Sequence, residues 1–133
     1  MKDVINLRLP CNPEFVNVAR MTVSVVANNI KMNYEVIQDL KVAVSEACNN
    51  VIQHSNSKDF YEIDFYPREE KITIDIKDFG DGFELKNYEK PDLENPKEGG
   101  LGIFIIESLM DKFEIITDNN IGTTVRMIKN KEG

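Results

Sequence analysis

The sequence predicts an α+β fold, a two-layer sandwich in which helices cover one face of a single mixed or antiparallel sheet. Three observations lead there. The periodicities run in the order strand, two helices, two strands, irregular loop, helix, two strands, which segregates helices from strands. The alternating apolar runs fall in pairs joined by short polar turns, the pattern of hairpins. No repeat or low-complexity tract divides the 133 residues, so one domain over 1–133 is expected.

Val4 to Leu9 place Ile5, Leu7 and Leu9 on one side of an extended segment, and Pro10 ends it. Asn12 can cap a first helix, Pro13 suits its first position, and Glu14 suits the positive end of its dipole. Phe15, Val18, Ala19, Thr22, Val26 and Ile30 then follow at helical spacing. Asn33 is a second cap, and Ile37, Leu40, Val44, Ala47, Cys48 and Val51 carry a long helix to about His54. Tyr61, Ile63 and Phe65, then Ile72, Ile74 and Ile76, alternate on either side of the turn Pro67-Arg68-Glu69-Glu70 and predict a hairpin.

From Asp78 to Gly100 the chain is rich in Gly, Pro, Asn, Lys and Glu without a sustained period, and it is read as a lid. A third helix is expected from Gly100 to Asp111. Phe113 to Thr117 and Thr123 to Ile128 form a last hairpin around Asp118-Asn119-Asn120.

Composition removes several function classes. A formal charge of −7 and a pI near 4.8 oppose binding to nucleic acid, which usually needs a basic face. No apolar run approaches bilayer length, so no membrane association is expected. The N-terminus lacks the basic and apolar regions of a secretory signal, which leaves the cytoplasm as the expected compartment. Cys11 and Cys48 fit two reduced thiols there, with Cys48 on a core face.

Four segments carry candidate chemistry. On the long helix, Asp39, Glu46, Asn50 and Gln53 fall opposite the Leu40/Val44/Cys48/Val51 stripe, an arrangement that by itself describes a solvated face. Asp78-Phe79-Gly80-Asp81-Gly82 follows a strand. Its glycines allow a sharp turn and close approach, and the Asp78 carboxylate can accept a hydrogen bond from an exocyclic amine such as that of adenine. A plain Asp-Gly turn has the same spelling. Gly99-Gly100-Leu101-Gly102 opens the third helix, where free N–H groups attract anions, although a hinge before a helix also looks like this. Gly122-Thr123-Thr124 opens the last strand with hydroxyls that can bond a base or water. The chain has no G-x-x-x-x-G-K-[ST] loop and no G-x-G-x-x-G after a strand. Asp78-Phe79-Gly80 lacks the partner motifs of eukaryotic-type kinases.

Taken together these segments resemble the GHKL (histidine-kinase-like) ATPase superfamily, which includes gyrase and the ATP-binding domains of histidine kinases. More narrowly they resemble anti-sigma factor serine kinases of the RsbW/SpoIIAB type. Glu46-Ala47-Cys48-Asn49-Asn50 matches E-A-x-x-N, with His54 completing N-x-x-x-H. Asp78 to Gly82 matches D-x-G-x-G, Gly99 to Gly102 matches G-G-L-G, and Gly122-Thr123 matches the closing G-T.

The resemblance implies an α/β sandwich that binds ATP and Mg2+ under a lid at about 84–98. It implies that Asn50 is the magnesium ligand and that Glu46 takes the proton of an attacking serine hydroxyl or positions it. It further implies that Asp78 reads adenine, Gly80 and Gly82 shape the pocket, Gly100 and Gly102 let the lid meet the phosphates, and Thr123 supports the base. Lys97 is the nearest cation to the lid glycines, and His54, the single histidine, is read as a structural residue at a helix end.

The partners implied are a sigma factor, an anti-sigma antagonist protein that accepts phosphate on serine, and a second copy in a homodimer, with Arg20 at a partner interface. An alternative is an ATP-binding regulatory module that holds a partner without phosphoryl transfer. The ATP domain of a histidine kinase fits less well, because the only histidine lies inside the Asn50 motif.

Overall fold

A computed structural model describes residues 2–54, 60–79, 100–118 and 122–131. Five strands form one sheet, β1 (Ile5–Pro10), β2 (Phe60–Pro67), β3 (Lys71–Asp78), β4 (Lys112–Asp118) and β5 (Gly122–Asn130), in the order β1-β2-β3-β5-β4. Every adjacent pair is antiparallel, which resolves the expected "mixed or antiparallel" sheet to the second. The helices are α1 (Val16–Asn29), α2 (Tyr34–His54) and α3 (Gly100–Leu109). The two-layer α+β sandwich predicted from the sequence is the fold observed.

Local chemistry explains the starts. The Asn12 side chain accepts from the Glu14 N–H at 2.9 Å, and Pro13 enters a single 3-10 turn, Pro13–Phe15, before α1 begins. The first helix was expected to run directly from Asn12. Instead the 3-10 turn comes first, and its last residue Phe15, at φ −101° and ψ 2°, is the N-cap position from which α1 begins. Asn33 caps α2 as expected, its Oδ1 accepting from Val36 N at 2.9 Å.

Alternation sorts the sheet into two faces. Tyr61, Ile63 and Phe65 on β2, Ile72, Ile74 and Ile76 on β3, and Val125 and Met127 on β5 are buried toward the helices. They meet Val23, Val26 and Ala27 of α1, Leu40, Val44, Ala47 and Cys48 of α2, and Ile103 and Ile106 of α3 in one core. Each large aliphatic side chain buried here contributes roughly 1.5–3 kcal/mol relative to exposure.

The other sheet face is polar and charge-matched. Asp64 and Asp75 are cross-strand partners, a like-charge juxtaposition that costs stability unless compensated. Compensation comes from the flanks. Arg126 grips Asp75 with two bonds of 2.8 and 2.9 Å, while Lys77 pairs with Asp64 and Asn6 donates to it at 2.6 Å. Burial raises the Asp64 carboxyl, but the Lys77 and Asn6 hydrogen bonds outweigh it and hold the group below the ordinary carboxylate range. No helix among the described residues is long and apolar enough to cross a membrane.

Candidate functional site

The site forms at one end of the sheet, where the register places Tyr61, Asp78 and Thr123 side by side on three adjacent strands. All three are buried, at 0%, 5% and 4% exposure. A carboxylate and a hydroxyl in that position have been taken out of water on the face that α2 covers. Just beyond Asp78, the Phe79 ring lies 5.5 Å from that of Phe60, and the Arg8 guanidinium stands 3.5 Å over Phe60. This stack on the outer face anchors the chain as it leaves β3.

From the helix layer come Glu46 and Asn50. The sequence places both on a solvated face, and the structure corrects this for Asn50, which is 8% exposed, while Glu46 is half-buried. The reason is α3. A Cβ added to Gly102 would stand 3.0 Å from Glu46 Oε2 and 3.5 and 3.6 Å from the two polar atoms of the Asn50 amide. The first turn of α3 therefore lies against Glu46 and Asn50, and only a residue without a side chain lets it come so close. Gly100 is the first residue of α3, the end of a helix whose N–H groups have no intrahelical partner.

Gly122 has an equally strict role. Its φ is +126°, and a Cβ there would fall 1.9 Å from the Asp78 carbonyl oxygen and 3.0 Å from Phe79 Cα. The start of β5 is thus pressed onto the backbone of Asp78. The Gly-Thr spelling marks the spot in the sequence, but the left-handed backbone that makes glycine necessary shows only in the fold.

Among the described residues, three buried polar atoms have no hydrogen-bond partner: Asn50 Nδ2, Thr123 Oγ1 and Tyr61 OH. Each orphaned group costs about 1–3 kcal/mol, which a ligand supplying the missing partner would recover. Tyr61 has the Cys48 thiol for a neighbour, which is too weak an acceptor to satisfy its hydroxyl. Burial pushes Cys48 up to about 12 against a smaller opposing pull from the Tyr61 hydroxyl, so it stays a neutral thiol, as the sequence suggests. Asn50 and Thr123 have no such explanation; Asn50 lies against Gly102 of α3, and Thr123 lies beside Asp78 in the sheet. An amide left open against the first turn of α3 and a hydroxyl left open beside Asp78 suit a polar ligand such as a nucleotide. The amide oxygen of Asn50 is the type of hard donor that Mg2+ takes.

The structure therefore brings Glu46, Asn50 and Gly102 together on α2 and α3, and Asp78 and Thr123 together on β3 and β5. His54 is the last residue of α2, exposed, at the end where the dipole favours a cation. Gly80, Gly82, Gly99, Lys97 and the lid at 84–98 lie outside the described residues.

Residues 9–129 match the family of the histidine kinase-like ATPase domain. The serine-protein kinase RsbW of Oceanobacillus iheyensis is 41% identical over 139 residues, the match covering 96% of this chain and 86% of the relative. The serine-protein kinase RsbW of Bacillus subtilis is 35% identical, with 98% of this chain and 88% of the relative covered. Among solved structures, the RsbU and RsbW domains of Rv1364c from Mycobacterium tuberculosis superimpose with a TM-score of 0.69 at 14% identity. That match covers 96% of this chain and 32% of the other, and shows the likeness of fold.

Proposed function

The chain belongs to the histidine kinase-like ATPase domain family, and from that premise we propose that it is an ATP-dependent protein serine kinase of the RsbW type, acting as an anti-sigma factor. In this reading it sequesters a sigma factor and phosphorylates a serine of an antagonist protein. The observation that carries the site assignment is the pair of orphaned buried polar atoms, Asn50 Nδ2 against the first turn of α3 and Thr123 Oγ1 beside Asp78 in the sheet. Residues 1–133 act as one ATP-binding kinase domain in the cytoplasm, with a lid at about 84–98.

Each residue takes one task in the proposed site. Asp78 accepts a hydrogen bond from the adenine amine, and Thr123 supports the base through its open hydroxyl. Gly100 and Gly102 let the first turn of α3 approach the phosphates, and Gly80 and Gly82 shape the loop after Asp78. Asn50 holds Mg2+ through its side-chain carbonyl, and the ion, when bound, neutralises the charge of the triphosphate.

Glu46, one turn before Asn50 on α2, takes the proton of the attacking serine hydroxyl. The serine oxygen then bonds to the γ-phosphorus as the bond to the leaving ADP oxygen breaks. Little covalent chemistry is asked of the protein, since catalysis in this reaction class is mostly positioning and charge stabilisation. Partner contacts are assigned to the exposed face of α1 that carries Arg20, in a homodimer.

The test is incubation with γ-labelled ATP, Mg2+ and a small antagonist protein from the same organism that bears an acceptor serine. Label on an antagonist serine is expected. Hydrolysis without protein labelling, or no nucleotide use at all, would contradict the kinase reading.

A further inference from the structure

At the end of the sheet away from Asp78 lies a second recess, of about 800 Å3, between the end of α1, the β2–β3 turn and the two ends of the chain. Its apolar lining comes from Ile5, Val26 and Ile30. Around them, among the described residues, stand five cationic side chains, Lys2, Lys31, Arg68, Lys71 and Lys131, against three acidic ones, Asp3, Glu69 and Glu70. A local excess of cations runs against the trend of a chain whose formal charge is −7.

Arg68 is already committed. Its Nη1 donates to Asp3 O at 2.9 Å and Pro67 O at 2.7 Å, which fixes the turn. The lysines are not: among the described residues no carboxylate pairs with Lys2, Lys31, Lys71 or Lys131.

Lys31 supplies an independent sign. It closes α1 at φ 63°, its N–H donating to Asn28 O at 3.0 Å and that of Met32 to Ala27 O at 3.1 Å. This left-handed closing position is the one glycine fills at lowest cost, and a side chain there costs about 1–2 kcal/mol. The helix dipole offsets part of that for a cation. A lysine at this position, where glycine is cheaper, puts a positive charge on the rim of the recess.

We propose that this recess is a docking groove for an acidic peptide segment of a partner protein. An apolar side chain of the peptide packs against Ile5, Val26 and Ile30, and its carboxylates meet Lys31 and Lys71. A simple inorganic anion would leave the apolar lining unused. Asp3, Glu69 and Glu70 would repel an anionic membrane surface, which meets a broad face and cannot thread between them.

The groove and the candidate nucleotide site lie at opposite ends of β3. Lys71 and Asp78 are seven residues apart, about 23 Å in an extended strand. The proposal is therefore independent of the kinase reading.

Fluorescence anisotropy of the full chain with the labelled peptide Asp-Glu-Phe-Glu-Leu-Glu-Asp tests it. Saturable, salt-sensitive binding is expected, weakened roughly tenfold or more when the acids are replaced by Asn and Gln. Lys31→Gly should weaken binding while leaving the melting temperature unchanged or higher, because the backbone there favours glycine. Lys31→Gly with Lys71→Gln should remove binding. Absence of saturable binding, binding that survives the double substitution, or equal competition by inorganic phosphate or phosphatidylserine vesicles would overturn the proposal.

Discussion

Glu46→Ala should remove phosphoryl transfer to the antagonist serine, a loss on the order of 10²–10⁴-fold for a missing general base, while leaving ATP binding nearly intact. The separation follows from position. Glu46 is half-buried with its Oε2 beside Gly102 of α3, and a carboxylate offers a triphosphate no donor. Removing it deletes negative charge from the neighbourhood of the phosphates. Binding has nothing to lose, and transfer loses its proton acceptor. Glu46→Gln keeps the shape and some hydrogen bonding but not the basicity, so it should share most of the loss in rate. Label transfer at saturating ATP, beside calorimetric ATP binding, measures both quantities. A variant that binds ATP and still labels serine at the parental rate would place the base elsewhere.

Gly122→Ala should have the largest effect on the fold near the site. The backbone at φ +126° is one that residues with a Cβ rarely adopt, and the added carbon would overlap the Asp78 carbonyl at 1.9 Å. The obstacle is main chain and cannot swing aside. A loss on the order of 3 kcal/mol is expected, roughly 10 °C in melting temperature for a domain of this size. Because the strand start that must move carries Thr123 beside Asp78, ATP affinity should fall with it.

Gly102→Ala makes the useful contrast. Its added carbon meets the Glu46 carboxylate at 3.0 Å and the Asn50 amide at 3.5 Å, both at the ends of side chains that can shift. Stability should change little, and phosphoryl transfer should suffer more than melting. Equal melting curves for Gly122→Ala and the parent chain would contradict the close approach of β5 to Asp78.

Much of this was legible in the sequence because periodicity reports burial. The alternation at Tyr61, Ile63 and Phe65 and at Ile72, Ile74 and Ile76 found both central strands and the face they turn to the helices. The caps Asn12 and Asn33 were legible because their side chains act on N–H groups two and three residues away.

What escaped depends on distant parts of the chain. That β5 lies between β3 and β4 is a crossover that no local pattern encodes. Asn50 belongs to the polar side of an isolated α2 and becomes buried only when the glycine-opened turn of α3 settles against it. The like-charged pair Asp64 and Asp75 looks unfavourable along the strands, and only the register reveals Lys77 and Arg126 as its compensation.

The proposed Mg-ATP site draws together α2, β3, α3 and β5. The most direct measurement is a ¹H–¹⁵N spectrum of the full chain titrated with Mg-ATP. Shifts are expected in the Asn50 side-chain amide and in the backbone amides of Gly102, Asp78 and Thr123, with Lys31 and Lys71 at the far end unmoved. Saturable ATP binding that leaves the Asn50 amide and Thr123 unshifted would contradict it.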